Sequence, residues 1–172
     1  MTFLEQMHAY FRGERVEALF FIVPASLVFF ALAATALRAE GGSFGVGLAA
    51  PLVVFGLIAL GTGLAVGLRT PSQVAAIEAD YVNSPKAMVE KELPRMRKVN
   101  ANWPFYLATW AALVVAGVAL RFGVRMDWAQ GLAPAFILIG AAGFLIDGFA
   151  ERRSRPYTAA LEAIATQHRV QN

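Results

Sequence analysis

The sequence predicts an all-α integral membrane protein: a four-helix bundle of two helical hairpins, both termini cytoplasmic, with amphipathic helices along the cytoplasmic face. Three observations predict it. Of 172 residues, 58% are hydrophobic and only 16% charged, against about 25% charged in an ordinary soluble domain. The apolar residues gather into four runs, long enough for helices that cross roughly 30 Å of hydrocarbon. The basic residues are shared unevenly among the segments that join those runs.

Taken in order, the chain opens with a capping box, Thr2 and Glu5, and an apolar face of Phe3, Met7, Tyr10 and Phe11. The first run covers 18–37. It is too long for the core of a signal peptide, and Glu5, Glu14 and Glu17 precede it, so it is read as a retained span. The second run covers 45–68. After it, Thr70-Pro71-Ser72-Gln73 reads as the start of a new helix, with Val74, Ile77 and Tyr81 on one face. A further start at Ser84-Pro85 places Met88, Val89, Leu93, Met96, Val99 and Trp103 at helical spacing, and Pro94 and Pro104 are expected to kink or break that helix. The third run covers 103–120 and the fourth 132–146, with Asp147 at its edge. The tail sets Tyr157, Leu161 and Ile164 against Arg155, Glu162 and Arg169. A soluble protein would have to bury four helices that are apolar on every side, which soluble helices rarely are.

Charge sets the orientation. The N-terminal segment, the middle loop and the tail hold twelve of the fifteen basic residues, and the two short loops hold only Arg38, Arg121 and Arg125. By the positive-inside rule both termini and the middle loop are cytoplasmic. Ten of the twelve acids fall on that side too, leaving Glu40 and Asp127 outside. The net charge of +3 calls for no nucleic acid; anionic headgroups are the nearest counter-charge. With no cysteine, thiolate metal sites, thiol catalysis and disulfides are excluded. The alanine-rich composition, with twelve arginines to three lysines, is that of small bacterial inner-membrane proteins.

The chain is read as one membrane domain, 1–172, with an internal repeat. Ala36-Leu37-Arg38 recurs as Ala119-Leu120-Arg121, Gly47-Leu48-Ala49 as Gly131-Leu132-Ala133, Pro51 as Pro134, and the pentapeptide at 75–79 nearly unchanged at 159–163, at offsets of 83 or 84. Tandem halves 1–84 and 85–172 would run in the same direction through the membrane, related by an axis along its normal.

Two groups of residues are candidates for more than spanning. Ala59, Gly63 and Gly67, and Ala108, Ala112 and Ala116, form stripes of small residues that let helices approach closely. Packing within the bundle is the favoured reading over a homo-oligomer face. The spans hold hydroxyls but no ionisable group in their interiors, which speaks against a proton relay or voltage sensor within one chain. At their cytoplasmic edge, Asp147, Glu151, Arg152, Arg69, Glu14 and Glu17 lie at similar depth. They are expected to form interfacial salt bridges, or else a site for a lipid headgroup or divalent cation. Asp147 and Glu151 at i, i+4 repel unless a cation intervenes.

Other motifs fail on context. Gly41–Gly45 fits G-x-S-x-G but lies in an outer loop, with His8 and His168 on the opposite side. Asp147-Gly148-Phe149-Ala150-Glu151-Arg152 resembles the opening of the CDP-alcohol phosphotransferase signature only in part. Ala150 and Glu151 stand in the wrong order, and no further Asp follows.

The sequence therefore assigns no catalytic residue, no cofactor and no metal. It leads to a non-catalytic accessory or scaffold protein of the inner membrane that engages membrane lipid or a protein partner through its cytoplasmic face. This scaffold reading expects an exposed apolar patch among Val74, Ile77, Tyr81, Leu93 and Met96. A small oligomeric transporter or channel is the alternative, and an enzyme acting on lipid headgroups through Asp147 and Glu151 a second one.

Overall fold

The computed structural model describes residues 2–170, with side chains through residue 167. The tail positions His168 and Arg169 thus lie outside the described side chains. The chain is helical throughout: α1 (Phe3–Glu17), a π-helical turn (Ala18–Ile22), α2 (Val23–Ala39), α3 (Ser43–Asn83), α4 (Pro85–Gly123) and α5 (Asp127–Val170). Four helices, the first being α1 and α2 joined through the π turn, are long and apolar enough to cross a membrane. The chain is a multi-pass membrane protein.

Its ends are built as the local sequence dictates. Thr2 and Glu5 make both bonds of the capping box. Ser84 alone separates α3 from α4. The turn before α5 is closed by Gln130, whose Nε2 donates to the carbonyls of Arg121 at 3.1 Å and Leu120 at 3.3 Å, and to that of Val124. Leu120 O also accepts the Val124 amide at 3.2 Å, so Gln130 binds around the last backbone bond of α4.

The expected break at Thr70-Pro71 is absent. α3 runs through Pro51 and Pro71, α4 through Pro94 and Pro104, and α5 through Pro134 and Pro156. At Pro71 the neighbouring hydroxyls serve backbone carbonyls instead of capping a new helix: Thr70 Oγ1 donates to Val66 O at 2.6 Å and Ser72 Oγ to Arg69 O at 2.8 Å. Hydroxyls that bond back to the helix are one means by which an interior proline is accommodated. As a result the 41 residues of α3 form one rod, about 60 Å long and twice the thickness of a hydrocarbon core.

α2 packs on α3, α3 on α5, and α5 on α4, while α1 packs against both α3 and α5. Two cores follow. Toward the 40–42 and 124–126 turns, Phe29, Ala33, Ala49, Leu52, Ala135 and Ile139 are buried together. At the opposite, terminal end a second core joins Phe3, Met7, Tyr10 and Phe11 of α1 with Ile77, Met88, Leu93, Met96, Tyr157 and Leu161. Lipid tails compete on equal terms for the first core, so shape complementarity holds it. The second lies beyond the spans, where water makes apolar burial favourable in itself.

That second core corrects the expected exposed patch. Ile77, Leu93 and Met96 are buried, and Val74 and Tyr81 are packed against them. Ile77, Leu93 and Met96 meet one another, so neither lipid nor a partner sees them, and Val74 and Tyr81 keep only part of their surface.

Candidate functional site

α3 and α5 come closest at their first turns. A Cβ on Gly47 would collide with the carbonyl of Trp128, and one on Gly131 with the carbonyl of Phe44. Gly47 and Gly131 are offset by 84 residues, as are Phe44 and Trp128, the first residues of the two helices, Ser43 and Asp127, and the last residues of α2 and α4, Ala39 and Gly123. Farther along, a cavity of about 150 Å³ lies between the helices. Its walls include Phe55, Ala59 and Thr62 of α3 and Ile139, Gly143 and Ile146 of α5, again three pairs at offset 84. The π turn contributes Ile22, α2 Ala25 and Phe29, and α4 Trp110.

Asp147 is the one ionisable group on this wall. Its Oδ2 accepts a hydrogen bond from Trp110 Nε1 at 2.6 Å. Gly143 lets the indole lie where it does, since a Cβ there would stand 2.6 Å from Trp110 Cε2. Trp110 and Phe55 meet edge-on, with ring centroids 6.3 Å apart.

Beyond the cavity, toward the terminal end, lies a layer of charged and hydroxyl side chains. Arg153 pairs with Glu17, and its side chain passes over Gly13, where a Cβ would stand 2.8 Å from Arg153 Nε. Arg69 Nη2 lies 3.8 Å from Glu14 Oε1. Glu14 Oε2 and Arg153 Nε are buried without a hydrogen-bond partner. Burial raises the Glu14 carboxyl above its ordinary range, against the opposing pull of Arg69, Arg95 and Arg153. Arg95 binds the buried Glu92 in a fork, Nε at 2.8 Å and Nη2 at 2.5 Å. Tyr157 Oη donates to the same carboxylate at 3.0 Å. A second network ties α4 to α5: Ser154 Oγ donates to Asn100 Oδ1 at 2.6 Å, Asn100 Nδ2 to Thr158 Oγ1 at 2.8 Å, and Trp103 Nε1 to Ser154 Oγ at 3.2 Å.

The six interfacial residues singled out in the sequence do not form one site. Glu14 and Arg69 meet; Glu17 meets Arg153. Asp147 turns to Trp110, whereas Glu151 binds Arg155 at 2.5 Å. The expected Asp147–Glu151 repulsion is relieved by separate partners. Arg152 is exposed. Among the described residues, no three acidic or histidine side chains are placed to hold a metal ion. Sequence reasoning missed Arg95 and Glu92. Their one advance signal was charge at positions that the apolar spacing of α4 turns inward.

The small-residue stripes divide. Gly63 and Gly67 receive the π turn, since a Cβ on Gly63 would lie 3.0 Å from Ala18 O and one on Gly67 2.6 Å from Leu19 Cγ. Ala59 lines the cavity. On α4, Ala108 and Ala112 are exposed and Ala116 is half-buried. Close packing of α4 with α5 falls instead to glycines off that stripe: a Cβ on Gly117 would stand 2.7 Å from Ala133 O, and one on Gly140 2.7 Å from Trp110 O.

A second concavity, of about 370 Å³, opens between α1 and α3, lined by His8, Phe11, Arg12, Arg15, Thr70, Pro71 and Val74. Comparison with family models, curated proteins and solved structures finds no match for this chain.

Proposed function

We propose that this chain is a non-catalytic protein of the bacterial inner membrane, with both termini cytoplasmic, that holds anionic lipid headgroups at its cytoplasmic face. One observation carries the reading. The apolar faces of the terminal-end helices are buried in a common core, while Arg12, Arg15, Arg69, Arg152 and Arg155 near the ends of the spans are exposed. The concavity between α1 and α3 sets Arg12 and Arg15 beside Phe11, Pro71 and Val74. That pairing suits a phosphate with its glycerol and first methylenes alongside.

The test is lipid retention in nanodiscs, followed by native mass spectrometry. Phosphatidylglycerol should be retained over phosphatidylcholine. Each basic residue near the surface contributes about 1 kcal/mol, so R12A/R15A should weaken retention roughly thirty-fold. Equal retention by the variant would reject the reading.

The alternatives have less support. A protein partner would lack the apolar patch. A path through one chain would have to cross the packed core of Phe29, Leu52, Ala135 and Ile139. A headgroup enzyme would have Asp147 as the one carboxylate in its cavity. The proposal also treats 1–84 and 85–172 as tandem halves about an axis between α3 and α5. The reciprocal contacts of Gly47 and Gly131 support that division.

A further inference from the structure

We infer that the cavity between the four spans is a binding site for a lipophilic cation: an amine or quaternary ammonium carrying an aromatic ring or a short alkyl group. Its depth comes first. Asp147 stands seven residues before Ser154, whose hydroxyl belongs to the polar layer. On one continuous helix that is about 10 Å, which leaves Asp147 at the inner edge of the fourth span, on the cavity wall and apart from the polar layer. An ionisable side chain turned inward among apolar spans marks a functional site by default, because such surroundings solvate its charge badly.

The chemistry of the ligand follows from what surrounds the carboxylate. Among the described residues Asp147 takes part in no ion pair, and Oδ1 receives no hydrogen bond; Trp110 serves Oδ2 alone. The arginines that follow on α5 do not balance it, since Arg153 binds Glu17 and Arg155 binds Glu151. Apart from Thr62 the remaining wall is apolar, with Phe29, Phe55 and Trp110 as its aromatic part. A carboxylate set beside aromatic rings in a largely apolar site recognises a poorly hydrated cation, through charge and through the ring quadrupoles together.

Size limits the part that enters. A cavity near 150 Å³ holds a group of about the bulk of benzene, so the cationic head enters and any longer tail stays in lipid. Thr62, on the cavity wall, is exposed and marks the open side. This site is separate from the arginine concavity between α1 and α3 and does not rest on the lipid reading.

The probe is phenyltrimethylammonium, titrated calorimetrically into the full chain in phosphatidylcholine nanodiscs. Wild type should bind one equivalent saturably. Asp147→Asn should weaken binding at least tenfold, Ala59→Phe should abolish it by filling the cavity with the carboxylate still present, and R12A/R15A should leave it unchanged. Absence of saturable binding to wild type overturns the inference, as does an Asp147→Asn affinity within twofold of wild type. Should Asp147→Asn fail to fold, Ala59→Phe decides, and wild-type affinity in that variant overturns the site.

Discussion

Tyr157 shows how much one side chain organises. Its ring stacks on Tyr10 with centroids 5.0 Å apart, meets Phe11 at 5.7 Å and Phe3 at 6.0 Å, and its hydroxyl reaches Glu92. Removing that hydroxyl leaves the aromatic packing in place but takes a donor from a buried carboxylate. Y157F should therefore cost about 1.5–3 kcal/mol, read as a lower midpoint in chemical denaturation. Tyr10, outside the spans, is held neutral by burial and then by the charge of Glu14, which push its pKa from 10.0 to about 12. The folded state favours the neutral phenol, so its contribution is complete below pH 10 and disappears as pH rises toward 12. Melting temperature should fall over that interval, and less steeply in Y10F. The sequence placed Tyr10 and Tyr157 correctly on apolar faces. It could not pair Tyr157 with Glu92, because helical spacing says which way a residue points and nothing about which helix it meets.

Helices were legible where periodicity or composition marked them, and illegible where proline chemistry had two readings. Thr-Pro-Ser serves equally as a cap before a first turn or as a proline with hydroxyls in mid-helix, and tertiary packing on α1 selects the second. Glycine tells a similar story. Gly47 and Gly131 stood out as repeat partners, but only the packed helices show that each faces a backbone carbonyl on the other's helix. Because those contacts are reciprocal, Gly47→Ala and Gly131→Ala should destabilise to a similar degree, about 1–3 kcal/mol each as for other overpacked positions. Unequal losses in thermal unfolding, one large and one negligible, would remove the symmetry. The opposite outcome is expected at Gly42, where an added Cβ meets nothing within 4 Å.

For the whole molecule, composition alone revealed the spans, since a continuous apolar run has few other physical explanations. The order of packing was hidden, because four runs of similar apolarity carry no address. Orientation can be measured directly, as the chain has no cysteine of its own. With both termini cytoplasmic, Gly42→Cys should react with a membrane-impermeant maleimide on intact cells, and Asn83→Cys only after permeabilisation. The reverse pattern would invert the topology.

The unbroken rods of α3, α4 and α5 have a mechanical consequence. A hinge at each membrane boundary would insulate the two ends of the molecule from one another. Here α3, α4 and α5 carry their helical bonding past the ends of the spans without interruption, and α1 packs on both α3 and α5, so the membrane part and the aqueous layer are built from the same elements.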